Sequence, residues 1–298
     1  MKYYYLDGRL VPSGRAVVRP MTHALNYGTA AMEGMRALWD KKDKTWYLFR
    51  PERHLARLQR GTAMLDIDWD MTCERFVSSL ERLIVKNDQR EDLYLRPLVY
   101  HASETVGLTR TGKHQFVVYA QPMPLKKGPT RSAGMVGQRR PVDGSYAVKI
   151  AGNYVLSYLA QAEARQQGHD VGVMLSTEGY LSEAAVMNLF WVKGGALFTP
   201  SLNCGPLPGI TRDCVIRIAR DRLGVEVREG KYRAAVLNSA DEIFLCGTGT
   251  AIARINRFER RKLRSRKNSL ADWIWSEYRR ILRNRPGEYA DWFYAVEI

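Results

Sequence analysis

The chain has 298 residues, 45% of them hydrophobic, so it can bury a large core without cross-links and is long enough for two domains. The four cysteines are scattered, with neither a C-x-x-C pair nor a zinc spacing, and indicate neither a disulfide framework nor a metal site. The net charge of +15 raises the possibility of contact with nucleic acid or an anionic membrane. No apolar run is long enough to approach a membrane span, and the N-terminus has no apolar leader segment. We therefore expect a soluble, cytoplasmic protein.

The first part of the chain begins with short apolar runs and continues with two amphipathic patterns. Asp7-Gly8 after the first run predicts the turn of a hairpin. Pro51 suits the first position of a helix, and Thr72 is a candidate N-cap. The predicted elements are, in order, strands Tyr3–Leu6 and Arg15–Arg19, helices Glu52–Leu65 and Thr72–Lys86, and strands Asp92–Tyr100 and Gln115–Ala120.

Residues 121–130 predict a linker, because three prolines and a glycine there prevent regular strand pairing. The linker divides a predicted small domain, 1–120, from a larger one, 131–298. The elements predicted beyond it are helices Asn153–Gln167, Thr211–Leu223 and Asp272–Leu282, and strands Val171–Leu175, Leu189–Val192, Ala196–Thr199, Val225–Glu229 and Glu242–Cys246. This order indicates a mixed α and β (α+β) fold rather than regular βαβ winding.

Lys149 and Glu183 supply an amine that can form an imine and a carboxylate that can hold a pyridine nitrogen protonated. The residues from Tyr146 to Ile150 are mostly apolar and predict a strand entering a desolvated site, where the pKa of a lysine falls and its amine becomes nucleophilic. Taken singly, each residue is ambiguous, since most lysines are solvated surface charges and Ser182-Glu183 could be an ordinary turn.

Two later segments contain glycines of the kind that hold a phosphate with backbone N–H groups and hydroxyls. They are Leu207-Pro-Gly-Ile-Thr-Arg212 and Cys246-Gly-Thr-Gly-Thr250. An amine, a carboxylate and two phosphate-binding segments in this order suggest a pyridoxal-phosphate enzyme.

From about Leu6 to about Ile255 the chain resembles the class IV, or fold type IV, pyridoxal-phosphate enzymes, and within them the branched-chain amino-acid aminotransferases. The motifs that carry the resemblance are Glu183-x-Ala-x-x-Asn188-Leu-Phe190, Leu197-Phe-Thr199, Leu207-Pro-Gly209 and Ile210-Thr-Arg212. The resemblance implies a small N-terminal α/β domain, a larger C-terminal pseudo-barrel domain, and a homodimer or a hexamer of dimers. It also implies amino-acid and 2-oxo-acid substrates.

The resemblance assigns the cofactor-binding residues position by position. Lys149 would carry pyridoxal 5′-phosphate on its amine and serve as the catalytic acid and base. Glu183 would pair with the pyridinium nitrogen, and Tyr154 would hydrogen-bond the ring phenolate. The residues implied to bind the phosphate are Arg57, Ile210, Thr211 and Thr248. Without the resemblance, Arg57 would be taken for a solvated residue of its helix.

The resemblance also assigns substrate-binding residues, and Tyr94-x-Arg96-Pro97 points to the branched-chain group. Tyr94 and Arg96 would line the carboxylate-binding side; from the sequence pattern alone they are same-face residues of a half-exposed strand. The implied substrate-binding set is Tyr27, Met32, Arg36, Tyr94, Arg96, Gly249 and Thr250.

The chain departs from the family pattern near both sets. Ala184, Val186 and Met187 replace the family's usual glycines and second acidic residue, and Met32 replaces an aromatic pocket wall. Three sibling activities therefore stay open: a D-amino-acid aminotransferase, an (R)-amine transaminase and an aminodeoxychorismate lyase.

A basic run replaces the family's hairpin after Ile255 and raises a different hypothesis, nucleic-acid binding by segment 254–267. Its basic residues are Arg254, Arg257, Arg260, Arg261, Lys262, Arg264, Arg266 and Lys267. Aromatic residues are not interleaved with these charges at stacking positions, which favours a solvated basic face over nucleic-acid binding.

Overall fold

The computed structural model describes residues 1–108, 112–263, 269–285 and 287–296. These residues form two compact units. The first comprises Met1–Pro124, Val148–Asn153 and Leu282–Ile298, and the second comprises Leu125–Ala147 and Tyr154–Ile281. The domain division expected from the sequence stays a prediction. Among the described residues, none of the helices combines the length and apolar character needed to span a bilayer.

The first unit is a sheet covered by helices. Its strands pair in the order β17-β5-β4-β6-β7-β1-β2, with β3 also paired to β6. The strands are β1 (Tyr3–Leu6), β2 (Arg9–Pro12), β3 (Ala30–Met32), β4 (Met35–Asp40), β5 (Thr45–Phe49), β6 (Leu93–His101), β7 (His114–Pro122) and β17 (Phe293–Ala295), and the helices are α1 (His23–Tyr27), α2 (Pro51–Met64) and α3 (Cys73–Asn87).

Both amphipathic helices of the first unit are confirmed within two residues at each end. The Thr72 side chain accepts a hydrogen bond from the Arg75 N–H, as its predicted capping role requires. The apolar faces of both helices pack on the sheet around a core that includes Trp46, Phe76 and Leu95. Packing of these faces, rather than helix propensity, supplies most of their stability.

The predicted hairpin is present, but its second strand was placed wrongly. The strand lies at Arg9–Pro12, not at Arg15–Arg19, and Leu6 pairs directly with Arg9. Asp7 and Gly8 have φ of 44° and 87°, which is the geometry of a two-residue hairpin turn. Such a turn leaves no residues between itself and the returning strand.

The second unit is built on a sheet that closes on itself. The order β10-β9-β8-β15-β14-β11 is closed by pairing of β10 with β11, while β12, β13 and β16 extend it. The strands are β8 (Arg131–Arg140), β9 (Val171–Ser176), β10 (Leu181–Ala184), β11 (Met187–Lys193), β12 (Ala196–Pro200), β13 (Val227–Gly230), β14 (Glu242–Gly247), β15 (Ala251–Phe258) and β16 (Arg261–Lys262), and the helices are α4 (Tyr154–Gln166), α5 (Ile210–Arg217) and α6 (Leu270–Asn284).

This closed ring of six strands confirms the predicted mixed fold with a pseudo-barrel. Closure removes the exposed edges of an open sheet. Helix α4 packs on β8 and β9, and α5 packs on β14. The interior strands are buried on both faces, as in β11, where every residue from Met187 to Val192 is buried.

The helices and strands predicted after the linker are present, with two differences. Helix α5 is shorter than the predicted Thr211–Leu223 and continues as one π-helical turn, Ile218–Arg222. The strand predicted around Lys149 is wrong, because only an isolated bridge between Ile150 and Ala31, both in the first unit, is present there. Strand β3 has only three residues, so it offers few pairing positions to the segment around Lys149.

Candidate active site

Lys149 lies on a segment that the first unit holds by its backbone. The Lys149 carbonyl accepts a hydrogen bond from the Met32 N–H (2.9 Å), and the Ala151 N–H donates to the Ala30 carbonyl (2.8 Å). Val148 and Ile150 are buried on either side of the lysine, which is itself half-buried. These two hydrogen bonds fix the backbone on both sides of Lys149 to the segment Ala30–Met32.

A close backbone contact fixes the same segment at its other end. Gly28 has a φ of 69° and ends α1, and a Cβ built there would lie 2.7 Å from Cα of Gly152. The Gly152 N–H donates to the Gly28 carbonyl (3.0 Å). Only glycine satisfies both the left-handed conformation and the contact, so Gly28 positions the loop that follows Lys149.

Arg57 is buried on α2 and bound by a fully buried carboxylate. Its Nε donates to Glu33 Oε1 (2.6 Å) and its Nη2 to Glu33 Oε2 (2.8 Å). His54, one turn earlier, contacts Glu33 Oε2 through Nδ1 at 2.6 Å. The three residues are at most 4% exposed, so this cluster is shielded from water.

The charges of this cluster follow from opposing effects. Burial raises the pKa of Glu33, but the attraction and hydrogen bonds of Arg57 and His54 outweigh it and bring that pKa well below its usual range. Burial lowers the pKa of His54 despite the attraction of Glu33. Glu33 is therefore an anion and His54 a neutral donor, and the cluster carries no net charge.

Tyr94 and Arg96 are neighbours on one face of β6, as predicted. Arg96 donates through Nη2 to the Tyr94 hydroxyl and through Nη1 to the Met32 sulfur, and its Nε is buried with no hydrogen-bond partner among the described residues. A thioether is a weak acceptor. The guanidinium thus keeps binding capacity for a stronger acceptor, such as a carboxylate.

Of the other two predicted substrate residues of this unit, Arg36 pairs in register with Tyr94 across β4 and β6. The Tyr27 hydroxyl accepts from the Gly107 N–H (2.9 Å), and Arg36, 1% exposed, donates through Nη1 to the Met123 carbonyl (3.1 Å). Their substrate-binding roles stay predictions.

In the second unit, Glu183 lies where the barrel closes. It pairs in register with Asn188 across β10 and β11. Arg140 Nη2 donates to Glu183 Oε1, and Asn188 Nδ2 donates to Oε2 (3.1 Å). A carboxylate is the kind of acceptor that a protonated ring nitrogen requires.

The N-terminus of α5 faces the same asparagine. Asn188 Nδ2 also donates to the Leu207 carbonyl (2.9 Å), and a Cβ at Gly209 would lie 2.0 Å from Asn188 Oδ1. Gly209 precedes the helix, and within the described ranges no side chain caps it, so the first N–H groups, those of buried Ile210 and Thr211, can bind an anion.

The remaining predicted residues of this unit are accessible. Tyr154 is the first residue of α4 and is half-buried. Thr248, Gly249 and Thr250 form the turn between β14 and β15, with Gly249 exposed.

The residues present fit pyridoxal phosphate on chemical grounds. The second unit offers a buried carboxylate that Arg140 and Asn188 bind, and a helix N-terminus that follows Gly209 and that no side chain of the described residues caps. A buried polar atom of the arginine that binds this carboxylate, Nε of Arg140, has no hydrogen-bond partner among the described residues. Buried polar groups left unpaired point to a bound group or water that completes them.

Sequence reasoning missed four residues that hold the predicted ones: Glu33, His54, Arg140 and Asn188. Asn188 was read as part of a motif without a role. His54 and Arg57 are three apart on one helix, a spacing that places them side by side, and this signal was available. Nothing in the local sequence pairs Arg140 with Glu183, 43 residues later.

Comparison with known proteins gives consistent similarities. A family model described as amino-transferase class IV matches residues 30–258. A probable branched-chain-amino-acid aminotransferase of Aquifex aeolicus is 32% identical over 268 residues, 88% of this chain and 86% of the relative. The branched-chain aminotransferase of Thermoproteus uzoniensis, solved with norvaline, has a TM-score of 0.91 and 34% identity, covering 99% of both chains. That of Thermobaculum terrenum, solved in its PLP form, has a TM-score of 0.93 and 28% identity, covering 100% of this chain and 99% of that one.

Proposed function

Because the chain belongs to the class IV aminotransferases, we propose that it transfers the amino group of L-leucine, L-isoleucine or L-valine to 2-oxoglutarate or another 2-oxo acid, using pyridoxal 5′-phosphate. The observation that carries the substrate side is the arrangement on β6, where Arg96 is held by Tyr94 and retains capacity for a carboxylate. The names of the similar proteins and the norvaline in one of them support it.

Seven residues would hold the cofactor. They are Lys149, Arg57, Tyr154, Glu183, Ile210, Thr211 and Thr248. Pyridoxal phosphate supplies an aldehyde for an amine and a ring that accepts electron density from the substrate's Cα. Arg57 and the α5 N–H groups bind phosphate by charge and by the helix dipole.

Two residues would manage the protons. Nζ of Lys149 would accept the proton that leaves the substrate's Cα and would give a proton back later in the transfer. Glu183 keeps the ring nitrogen protonated, and Arg140 and Asn188 hold the carboxylate in place for that contact.

Substrate orientation would come from the carboxylate side. Arg96, Tyr94, Tyr27 and Arg36 would bind the carboxylate, and the backbone N–H groups of Gly249 and Thr250 would add donors. Met32 borders the side-chain pocket. A flexible thioether in place of an aromatic wall tolerates several aliphatic side chains, which suits leucine, isoleucine and valine.

We also propose a homodimer, one of the two assemblies that the resemblance implies, and a location in the cytoplasm. On α4, Val155, Tyr158 and Leu159 are 63%, 73% and 48% exposed on adjacent positions of the helix surface. Large apolar side chains grouped at a surface support contact with a second copy. Light scattering on the purified protein should give twice the chain mass of 34.1 kDa; a mass of one chain contradicts the dimer.

A donor comparison tests the proposed function. The purified protein with pyridoxal phosphate and 2-oxoglutarate is offered L-leucine, D-leucine and (R)-1-phenylethylamine at equal concentrations, and the new amino acid is quantified. We expect L-leucine to react fastest. Preference for D-leucine would identify a D-amino-acid aminotransferase and preference for the amine an (R)-amine transaminase, and either result overturns the branched-chain assignment. Release of pyruvate from aminodeoxychorismate would identify the lyase.

A further inference from the structure

We propose that Glu33 and His54 are positioning residues that orient Arg57 for the phosphate of the cofactor and thereby set the selectivity of this protein for a phosphorylated pyridoxal. The inference rests on the proposed function, since it takes Arg57 as a phosphate ligand. Neither Glu33 nor His54 is among the residues that the proposed function assigns to the cofactor or the substrate.

The geometry gives the first step. Glu33 lies between β3 and β4, and its backbone N–H donates to the Pro97 carbonyl (2.8 Å), so the base of the side chain is anchored in the sheet. Its two oxygens receive two different nitrogens of Arg57, at 2.6 and 2.8 Å. Two parallel hydrogen bonds fix both the plane and the direction of a guanidinium, which one bond cannot do.

His54 supplies the second step. Its Nδ1 donates to Glu33 Oε2 (2.6 Å), and the Gly34 N–H reaches the same oxygen at 3.3 Å. His54 and Arg57 are three residues apart on α2, which places their side chains next to each other on the helix surface. The helix therefore fixes the distance between the two residues that bind Glu33. The carboxylate cannot rotate without losing one of these contacts.

Because His54 is neutral, its contribution can be tested separately from that of the charged Glu33. Removal of Glu33 changes the charge around Arg57, whereas removal of His54 takes away a hydrogen bond and leaves the charge unchanged. A carboxylate beside an arginine has two opposite effects on an incoming phosphate: it pre-orients the arginine and it partly cancels its positive charge. Pre-orientation predicts weaker phosphate binding in both variants, and charge cancellation predicts stronger binding in the Glu33 variant alone.

Binding of pyridoxal 5′-phosphate and of pyridoxal is measured on cofactor-free protein, because the two compounds share ring and aldehyde and differ in the phosphate. The variants are Glu33→Gln, His54→Leu and Arg57→Ala. The matched control is His54→Asn, whose amide nitrogen can take the place of Nδ1. The readout is the ratio of the two dissociation constants, together with the melting temperature of each cofactor-free variant.

We expect Glu33→Gln and His54→Leu to weaken binding of pyridoxal phosphate by about 10- to 30-fold, the factor that corresponds to the rotamer entropy of a released arginine. Binding of pyridoxal should be nearly unchanged, and His54→Asn should resemble wild type. Equal weakening of both compounds, stronger phosphate binding by Glu33→Gln, or an unchanged ratio in His54→Leu each overturns the proposal. Failure of the proposed function is distinguishable, because wild type and Arg57→Ala would then already bind the two compounds alike.

Discussion

Besides Lys149, the proposed chemistry depends on Glu183 and Arg96. Neighbouring side chains bind each of these two residues and restrict its orientation. Arg140 and Asn188 bind the carboxylate of Glu183, and Tyr94 binds the guanidinium of Arg96. Restraint of this kind lowers the cost of reaching the reactive geometry. Substitution of either residue should therefore affect rates more than folding.

We predict that Glu183→Gln slows both half-reactions strongly and leaves the cofactor bound. A neutral amide lowers the pKa of the ring nitrogen and weakens the electron sink, whereas the phosphate is held by separate groups. Stopped-flow absorbance with L-leucine and then with 2-oxoglutarate measures both half-reactions. Glu178→Gln, a surface substitution in the same unit, is the matched control. Rates equal to the control would make Glu183 a structural turn residue.

We predict that Arg96→Ala impairs donors with an α-carboxylate far more than amines without one. Loss of a charged contact costs about 1.5–3 kcal/mol, or roughly 10- to 150-fold in kcat/KM. Wild type and mutant are compared with L-leucine and with (R)-1-phenylethylamine. Arg90→Ala, at an exposed arginine before the same strand, should change neither. An equal loss for both donors would remove Arg96 from the carboxylate site.

At the residue scale, the sequence predicts side chains that belong to a recognisable motif and misses those that only support them. Lys149 and Glu183 are found because amine, carboxylate and glycine segments occur in order. Arg140 supports Glu183 from another strand, and Glu33 supports Arg57 from another element. Such pairs are made by strand register and helix packing, which no local pattern encodes.

At the element scale, His54 and Arg57 of α2 form a buried cluster with Glu33, and this cluster makes the stability of the fold depend on pH. The pKa of His54 lies below its usual value of 6.5, so below about pH 6.5 the unfolded chain takes up a proton that the folded chain does not, and stability falls with acid. Glu33, with its pKa far below 4.5, acts in the same direction from about pH 4.5 downward. The charges that face His54 are Glu33, Arg57 and Arg50.

We predict that wild type loses free energy of unfolding between about pH 7 and about pH 5, and that His54→Asn loses measurably less over the same range because it lacks one titrating group. Urea unfolding at both pH values gives the difference. Equal slopes for the two proteins would show that His54 titrates alike in the folded and unfolded chain.

Elements were predictable where a local pattern specifies them. Helices α2, α3 and α4 follow from periodicity, and Thr72 from capping chemistry. The closing pair β10–β11 was not predictable, because all four residues of β10 are buried although Ser182 and Glu183 are polar, so its sequence shows no apolar alternation. The strand expected at Lys149 failed for the opposite reason, because an apolar run was present without a partner strand long enough to pair with it.

At the scale of the whole molecule, several of the arginines that contribute to the net charge of +15 are bound by other groups of the fold. In the basic segment, Arg254 pairs with Asp272, Arg257 donates to the Gly168 carbonyl, and Arg261 donates to the Leu237 and Ala240 carbonyls. Arginines committed to such contacts have less capacity for nucleic-acid phosphates. Arg264, Arg266 and Lys267 lie outside the described residues.

The central claim is that this chain carries pyridoxal phosphate on Lys149. Reduction of the purified holoprotein with borohydride fixes the cofactor to its lysine, and peptide mapping by mass spectrometry locates the label. Our account predicts a single phosphopyridoxyl group on Lys149, and Lys149→Ala should take up no label and perform no multiple turnover. Label on any other lysine, or sustained turnover by Lys149→Ala, would contradict it.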